Sequence, residues 1–212
     1  MNHDNTANKP LVALTFDDGP NTTTTVEILN LLEEYHIPAS FFLVGNNITA
    51  TTAPVVKRTY DMGCELGNHS KTHSVMPEMT KEEIQEEITY VSGKIKEITG
   101  EAPRFFRPPY IAVNDTMYEA IDMPFICGAG CNDWDASVSV KERVDTTLAQ
   151  LKDGTIILLH DSEGNYQTVE ALKILIPMLL EQGYRFVTVK ELFEYKGVAI
   201  REDDTGLYTY VG

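Results

Sequence analysis

Two closely spaced histidines, a pair of adjacent aspartates and a third histidine could together form a metal-dependent hydrolytic site. His69 and His73 are four residues apart, a spacing that directs two imidazoles to the same side of a helical turn. With one carboxylate from the neighbouring Asp17 and Asp18 they give three ligands, which leaves open positions for water, as in catalytic zinc sites. Such an ion lowers the pKa of its water towards about 7. The other aspartate could accept a proton and His160 could protonate a leaving group.

Each of these features also has a purely structural interpretation. Aspartates before a Gly-Pro pair are common turn residues, two histidines four apart occur by chance, and His160 could simply end the aliphatic strand that precedes it. Trp134 is the sole tryptophan, and a lone tryptophan is more often a core residue than a platform for a ligand. Function is indicated by their joint placement, because each of them follows a predicted strand.

Predicted strands and helices alternate along the whole chain. Strands are predicted at 11–16, 39–44, 64–68, 104–107, 125–127, 155–159 and 186–189. Thr-x-x-Glu sequences at Thr24, Thr80 and Thr188 predict helix starts with capping boxes. The alternation predicts an α/β fold with a parallel sheet and helices outside. About seven such units favour a distorted or incomplete (β/α) barrel over an open sheet.

In such a barrel the carboxyl ends of the strands share one face. The polar residues of interest all come at predicted strand ends and are therefore expected to converge there. They are Asp17 and Asp18, His69 and His73, Arg107 to Tyr110, Asp133 and Trp134, and His160 and Asp161.

Composition and charge restrict the classes of partner. The 212 residues carry 17 basic and 32 acidic side chains, a net charge of −15, which repels phosphate backbones and anionic lipid. The longest aliphatic run is residues 156–159, far shorter than the roughly 20 residues of a membrane span. We therefore expect no nucleic-acid binding and no membrane insertion, and a substrate that is neutral or cationic.

Length and the absence of a linker predict a single catalytic domain over residues 1–212. Three cysteines, Cys64, Cys127 and Cys131, are too few for a disulfide framework and are expected to be plain thiols. The first residues lack the basic and apolar parts of a signal peptide, so either the protein is cytoplasmic or an export signal has been removed.

Five motifs in order resemble those of the polysaccharide deacetylases, the NodB-like domain of carbohydrate esterase family 4. They are Thr15 to Pro20 (TFDDGP), Asn68 to His73 (NHSKTH), Arg107 to Tyr110 (RPPY), Asp133-Trp134, and Leu158 to Asp161 (LLHD). The resemblance extends from residue 10 to about residue 195. It implies a distorted, often incomplete (β/α) barrel that removes acetyl groups from glycans with the help of a metal ion.

The resemblance also implies catalytic roles for individual residues. Asp17 is similar to the family's general base, and Arg107 to the arginine that pairs with that base and keeps it ionised. His160 is similar to the general acid, and Asp133 to the carboxylate that orients it. The backbone N–H of Tyr110 matches the oxyanion-hole donor.

The remaining matching positions concern the metal and the substrate. The ligands of one divalent ion, Zn²⁺ or Co²⁺ and in second place Ni²⁺, would be Asp18, His69 and His73. The substrate-binding walls would be Trp134, Leu158, Tyr110 and Pro109. One departure is that the family usually has an aspartate three residues before the Asp-Trp pair, where this sequence has Gly130.

Residues 106–113 and 128–135 are most similar to the xylan-active branch of the family. The leading hypothesis is therefore an acetylxylan esterase that removes O-acetyl groups from a β-1,4-linked polysaccharide, and the net charge suits a neutral polymer. An N-deacetylase of N-acetylglucosamine in peptidoglycan or chitin is the alternative, because His160 could assist an amine leaving group. A glycan-binding protein without catalysis is the third. We expect a secreted monomer whose partner is the acetylated polysaccharide.

Overall fold

The computed structural model, which describes residues 9–201 and 205–212, contains eight strands and seven α-helices, which alternate except that α4 follows α3 and β5 follows β4. The strands are β1 (Leu11–Asp17), β2 (Ser40–Leu43), β3 (Glu65–Asn68), β4 (Phe125–Ile126), β5 (Ala129–Gly130), β6 (Thr155–His160), β7 (Arg185–Phe186) and β8 (Leu207–Tyr208). The helices are α1 (Thr24–Tyr35), α2 (Ala53–Asp61), α3 (Lys81–Thr99), α4 (Asp115–Ala120), α5 (Val140–Ala149), α6 (Tyr166–Glu181) and α7 (Val189–Lys196).

Strand β1 lies at the centre of a six-stranded parallel sheet. The strand order is β3-β2-β1-β6-β5, and β7 pairs with the first two residues of β1. All seven residues of β1 are buried, which is typical of a parallel strand covered on both faces. The apolar core beneath the sheet is built with α1 and α6, whose inward residues pack against β1 and β6.

The sheet continues beyond its paired strands through single bridging residues. Phe106 bridges to Asn68 on β3 and to Phe125 on β4, which itself pairs with β8. An antiparallel bridge joins Thr155 on β6 to Tyr210. The predicted α/β fold with a parallel sheet is confirmed. The main sheet has six strands rather than about seven. Residues 104–107 contribute one bridging residue instead of a strand, the predicted strand at 125–127 pairs with β8 outside the main sheet, and the unpredicted β5 pairs with β6. Closure into a barrel stays a prediction.

The register of the sheet brings polar residues together at its carboxyl edge. Asp17, the last residue of β1, is the cross-strand partner of His160, the last residue of β6. On the other side Asp17 pairs with Phe42 of β2, and Leu43 pairs with Asn68 of β3. Residues that follow β1, β3 and β6 therefore emerge side by side.

Two of the three predicted capping boxes are present, at Thr80 and Thr188, and a third forms at Ser139. The box predicted at Thr24 is wrong: α1 begins after Thr23, and the Thr24 hydroxyl instead accepts a hydrogen bond from the backbone N–H of Gly164. Among the described residues, no helix is both long enough and apolar enough to cross a membrane.

Candidate active site

A pocket of about 690 Å³ opens at the carboxyl ends of β1, β3 and β6. It brings together most of the residues predicted from the sequence. Its lining includes Asp17, Asp18, His69, His73, Tyr110, Trp134, Leu158 and His160. Arg107 and Asp133 are buried behind this surface, where Arg107 contacts Asp17 and Asp133 contacts His160. Pro109, a predicted substrate-binding wall, is buried and does not line the pocket, whereas its neighbour Pro108 does.

Three side chains in the pocket fit a divalent cation. Nε2 of His69 lies 3.7 Å from Oδ1 of Asp18, and Nε2 of His73 lies 3.4 Å from the same oxygen. One ligand atom from each residue lies within 4.8 Å of the other two. Oδ1 of Asp18 is buried and has no hydrogen-bond partner among the described residues, whereas Oδ2 accepts a bond from Oγ of Ser162 at 2.8 Å. An orphaned carboxylate oxygen facing two imidazoles is the donor set of a zinc-type site.

The tautomer of His69 also suits a metal ligand. Its Nδ1 lies 2.6 Å from the backbone carbonyl oxygen of Arg107. Since a carbonyl can only accept, Nδ1 carries the proton and Nε2 presents its lone pair to the pocket.

The two histidines do not sit on the helical turn that their spacing suggested. They lie in the loop after β3, in which His73 has φ +57° and Ser70 has φ +64°. The backbone N–H of His73 donates to Oγ of Ser70, and the N–H of Thr72 donates to the Glu87 carboxylate on α3. Left-handed residues and these two bonds fold the loop back, so that the imidazole rings meet with centroids 4.9 Å apart.

Asp17 forms a buried ion pair with Arg107. Nη1 of Arg107 donates to Oδ1 of Asp17 at 2.6 Å, Nη2 donates to the carbonyl oxygen of Cys127, and the guanidinium lies 4.2 Å from the Phe42 ring centroid. Burial opposes ionisation of Asp17, but the charge and hydrogen bond of Arg107, together with the charge of His160, outweigh it and hold the pKa of Asp17 below the ordinary value. Asp17 is thus a carboxylate at neutral pH.

His160 is held by Asp133 through two hydrogen bonds. Nδ1 of His160 lies 2.8 Å from Oδ1 of Asp133, and the backbone N–H of His160 donates to Oδ2 at the same distance. Burial disfavours the charged imidazole, yet the bond and charge of Asp133, with Asp17 and Asp18, raise the pKa of His160 to about 9. At neutral pH this histidine holds a proton that it could donate.

The rim and floor of the pocket carry aromatic and apolar side chains. Tyr110 and Trp134 are 65% and 64% exposed, far more than core aromatics, and the Tyr110 ring lies 4.7 Å from that of His73. Leu158 is almost fully buried and faces two glycines. A Cβ at Gly128 would lie 2.7 Å from Cβ of Leu158, so only glycine fits there.

Asp161, next to the predicted acid, holds the turn that carries both aspartates. Its carboxylate accepts from the backbone N–H of Gly19 at 2.9 Å and from Oγ1 of Thr25 at 2.5 Å. Burial in this position, together with the negative charges of Asp18 and Asp17, raises the pKa of Asp161 to about 7 although both bonds oppose the rise.

Several residues at the site were not predicted. Ser162 binds Asp18, and Asn132, with φ +55°, lines the pocket together with Cys127. None of them has a residue type or spacing that marks it without the fold.

Comparison with curated proteins finds relatives of both hypothesised activities. A family model described as polysaccharide deacetylase matches residues 4–124. A bifunctional xylanase/deacetylase of Pseudobutyrivibrio xylanivorans is 53% identical over 194 residues, which are 92% of this chain and 32% of the relative. A peptidoglycan-N-acetylglucosamine deacetylase of Bacillus cereus is 35% identical over 197 residues, covering 89% of this chain and 91% of the relative. The chain thus spans about a third of the xylanase/deacetylase.

Two solved structures match over nearly their whole length. The Xyl-CE4 domain of a multidomain xylanase from the hindgut metagenome of Trinervitermes trinervoides has a TM-score of 0.93 and 49% identity, covering 96% of this chain and 98% of that domain. A family 4 acetyl xylan esterase from Clostridium thermocellum, solved with a cobalt ion, has a TM-score of 0.92 and 40% identity, covering 95% and 98% of the two chains.

Proposed function

Because the chain belongs to the polysaccharide deacetylase family, carbohydrate esterase family 4, we propose that it hydrolyses O-acetyl esters on xylan. The observation that carries the reaction type is the meeting of a carboxylate, a protonated histidine and an Asp/His/His ligand group in one pocket. Support for xylan comes from the names of the relatives, since proteins with 53%, 49% and 40% identity are described by xylanase or acetyl xylan esterase activity.

Asp18, His69 and His73 would hold the divalent ion, with Zn²⁺ and Co²⁺ as the first candidates and Ni²⁺ as the next. When bound, the ion would polarise the acetyl carbonyl and lower the pKa of water. The cobalt ion in the Clostridium thermocellum structure supports this choice of metal class.

The proton transfers fall to Asp17 and His160. The Asp17 carboxylate, kept ionised by Arg107, takes a proton from the water that attacks the acetyl carbon. His160, charged because of Asp133, gives a proton to the sugar oxygen as its bond to the acetyl carbon breaks. The products are acetate and a free sugar hydroxyl. The backbone N–H of Tyr110, at the pocket rim, is proposed to bind the oxyanion.

The rim and floor suit a neutral sugar chain. Exposed rings at Tyr110 and Trp134 offer faces on which sugar rings can pack. Leu158 gives an apolar floor for the acetyl methyl group, and the absence of side chains at Gly128 and Gly130 keeps that floor open. The net charge of −15 disfavours anionic polymers.

We also infer that the enzyme works outside the cell and as a monomer. A polysaccharide does not cross a membrane, so the enzyme has to meet it in the extracellular space. One chain supplies the proposed ligand group, base and acid, which supports catalysis without a second copy.

N-deacetylation of N-acetylglucosamine is the second candidate. Peptidoglycan deacetylases are 33–35% identical over most of this chain, and an amine leaving group requires the protonated acid that His160 supplies. Acetate release should be measured side by side from acetylated xylan and from N-acetylglucosamine oligomers, using the metal-loaded enzyme. We expect faster release from xylan, and chemically deacetylated xylan gives the blank. Faster release from the N-acetylglucosamine oligomers would reject the xylan assignment.

A further inference from the structure

Arg143 on α5 is a buried cation outside the pocket. Its side chain is 1% exposed, and among the described residues no carboxylate lies within 4.0 Å of its guanidinium. It is satisfied by neutral acceptors instead: Nε donates to the carbonyl of Val138 at 3.0 Å and Nη2 to that of Asp135 at 3.1 Å. Burying a charge without an ion-pair partner is costly, so its other contacts indicate what it stabilises.

One set of contacts leads to the carboxylate behind His160. Nη1 of Arg143 donates to Oγ1 of Thr168 at 2.9 Å, and Oγ1 of Thr168 lies 2.7 Å from Oδ2 of Asp133. A guanidinium can only donate, so the Thr168 hydroxyl accepts from it and turns its own proton to Asp133. The direction of the chain is therefore fixed from Arg143 through Thr168 to Asp133.

A second set of contacts leads to the backbone of His160. Nη1 of Arg143 also donates to Oδ1 of Asn165 at 2.7 Å. This bond fixes which way the amide faces, and Nδ2 of Asn165 donates to the carbonyl oxygen of His160 at 2.9 Å. Arg143 thus acts on His160 twice, on the imidazole through Asp133 and on the main chain through Asn165.

We propose that Arg143 and Thr168 are positioning residues that fix the orientation of the His160 imidazole toward the leaving group. This inference rests on the proposed function, in which His160 is the general acid. Neither residue lines the pocket. Three donors hold the Asp133 carboxylate: Thr168 Oγ1–H and the backbone N–H of His160 on Oδ2, and His160 Nδ1–H on Oδ1. Without the Thr168 bond the carboxylate can rotate, and the imidazole that it orients loses its alignment.

The test is Thr168→Val, which keeps the shape of the side chain and removes the hydroxyl. We expect kcat on acetylated xylan to fall roughly tenfold and KM to stay unchanged. A tenfold loss is a part of the 10²–10⁴-fold rate increase that general acid catalysis typically contributes. On an aryl acetate, whose phenolate leaves without protonation, kcat should fall less than about twofold. Thr168→Ser should restore the wild-type ratio between the two substrates. Arg143→Lys should change the ratio between the two substrates in the same direction as Thr168→Val. Combining Arg143→Lys with Thr168→Val should lower kcat by less than the product of the two separate losses, because both residues act through one chain of hydrogen bonds.

Thr59→Val is the matched control. Thr59 is equally buried, and its hydroxyl donates to the carbonyl of Val55 within α2, away from the pocket. It should leave the substrate ratio unchanged. His160→Ala, measured beside it, sets the largest ratio that loss of the acid can produce.

Equal losses on both substrates in Thr168→Val, or failure of Thr168→Ser to restore the ratio, would overturn the proposal. The Nδ1 proton of His160, followed by NMR, gives a readout that needs no glycan activity. Its solvent exchange should be several-fold faster in Thr168→Val than in the wild type and in Thr59→Val, and an unchanged exchange rate counts against positioning. If the wild type releases no acetate from either glycan, the proposed function fails, and this exchange measurement still decides the role of Thr168.

Discussion

Nη1 of Arg107 lies 2.6 Å from Oδ1 of Asp17, and both side chains are buried at the base of the pocket. Since 90 residues separate the two in sequence, the fold alone creates this pair. A buried carboxylate without a partner would take up a proton and could no longer act as a base. The pair therefore keeps a proton acceptor ready next to the Asp/His/His ligand group.

Asp17→Asn should reduce turnover on every acetylated substrate by roughly 10²–10⁴-fold, because the amide keeps the shape and cannot accept the proton. Metal content, measured by elemental analysis, should stay at the wild-type level. The control is Asp61→Asn, which removes a carboxylate from a surface pair with Lys57 and should leave turnover intact. Near-normal turnover in Asp17→Asn would assign the base to another group.

Ester hydrolysis should have a bell-shaped dependence on pH, with Asp17 ionised and His160 protonated on the plateau. The pKa of Asp17 is held below its usual value, so the acid limb should lie on the acidic side of an ordinary aspartate titration. The pKa of His160 is raised to about 9, so activity should fall as the pH rises through about 9. Asp133→Asn removes the largest cause of this rise and should move the alkaline limb toward the ordinary histidine value of about 6.5.

The raised pKa of His160 also makes the stability of the fold depend on pH. A histidine whose pKa is higher in the folded state contributes stability that is complete below its unfolded pKa of about 6.5 and is lost as the pH rises through about 9. Denaturant titrations at pH 6 and pH 10 should show this difference in the wild type and a smaller one in Asp133→Asn. If the alkaline limb does not move in Asp133→Asn, titration of His160 is not its cause.

Removal of the metal by a chelator should abolish activity, and Zn²⁺ or Co²⁺ should restore it. His73→Asn should weaken metal binding at least tenfold, since an amide is a poorer ligand than imidazole and its side chain is shorter. Asparagine tolerates the φ of +57° at this position, so folding should be little affected. His36→Asn is the matched control, because His36 has φ +53° at the end of α1 and lies far from the ligand group. Full activity after exhaustive chelation would contradict the metal assignment.

Trp134→Ala should raise KM for acetylated xylan oligomers severalfold and change KM for a small aryl acetate little. The reason is that an exposed indole at the rim can contact sugar rings beyond the acetyl group. Tyr195→Ala, which removes an exposed aromatic ring on α7 outside the pocket, should change neither constant. An equal effect on both substrates would place Trp134 in the acetyl pocket alone.

Gly19→Ala should destabilise the fold by at least about 1–3 kcal/mol, because its Cβ would lie 2.8 Å from Oδ1 of Asp161 and closer still to Oδ2. The turn that carries Asp17 and Asp18 would have to move, so turnover should fall as well. Gly93→Ala, in the exposed middle of α3 with open space around it, should instead stabilise by about 0.5–1 kcal/mol. Urea denaturation of the two variants gives both values, and a stable, active Gly19→Ala would refute the steric argument.

The strands and helices that are marked by a local sequence pattern could be predicted. β1 and β6 are continuous apolar runs, and α3 begins at the Thr80 capping box and ends at Gly100 as its sequence indicated. β5 and β8 have only two residues each, too short for any alternation of polar and apolar residues to be visible.

The candidate site was predictable where residue type and motif coincide, as for the three ligand residues and His160. Arg107 and Asp133, which contact Asp17 and His160, were also named from the motifs, but the residues behind Asp133 were not. Arg143 and Thr168 read as ordinary residues of amphipathic helices, and only the packing of α5 against α6 brings them to Asp133. The Thr24 capping box failed for the same reason, since a distant loop takes its hydroxyl.

Because Asp17 and His160 are cross-strand partners, the reaction centre and the preference for a glycan depend on different parts of the chain. Neighbouring strands keep a spacing of about 4.8 Å, so the backbone separation between the residue that accepts the proton and the residue that donates it is set by the central ladder. Much of the rim that is proposed to meet the sugar, residues 108–113 and 131–135, consists of connecting segments outside that ladder. Exchanging these segments for those of a relative with another glycan preference, with Tyr110 and Asp133 kept, should therefore redirect the enzyme while its reaction centre stays intact.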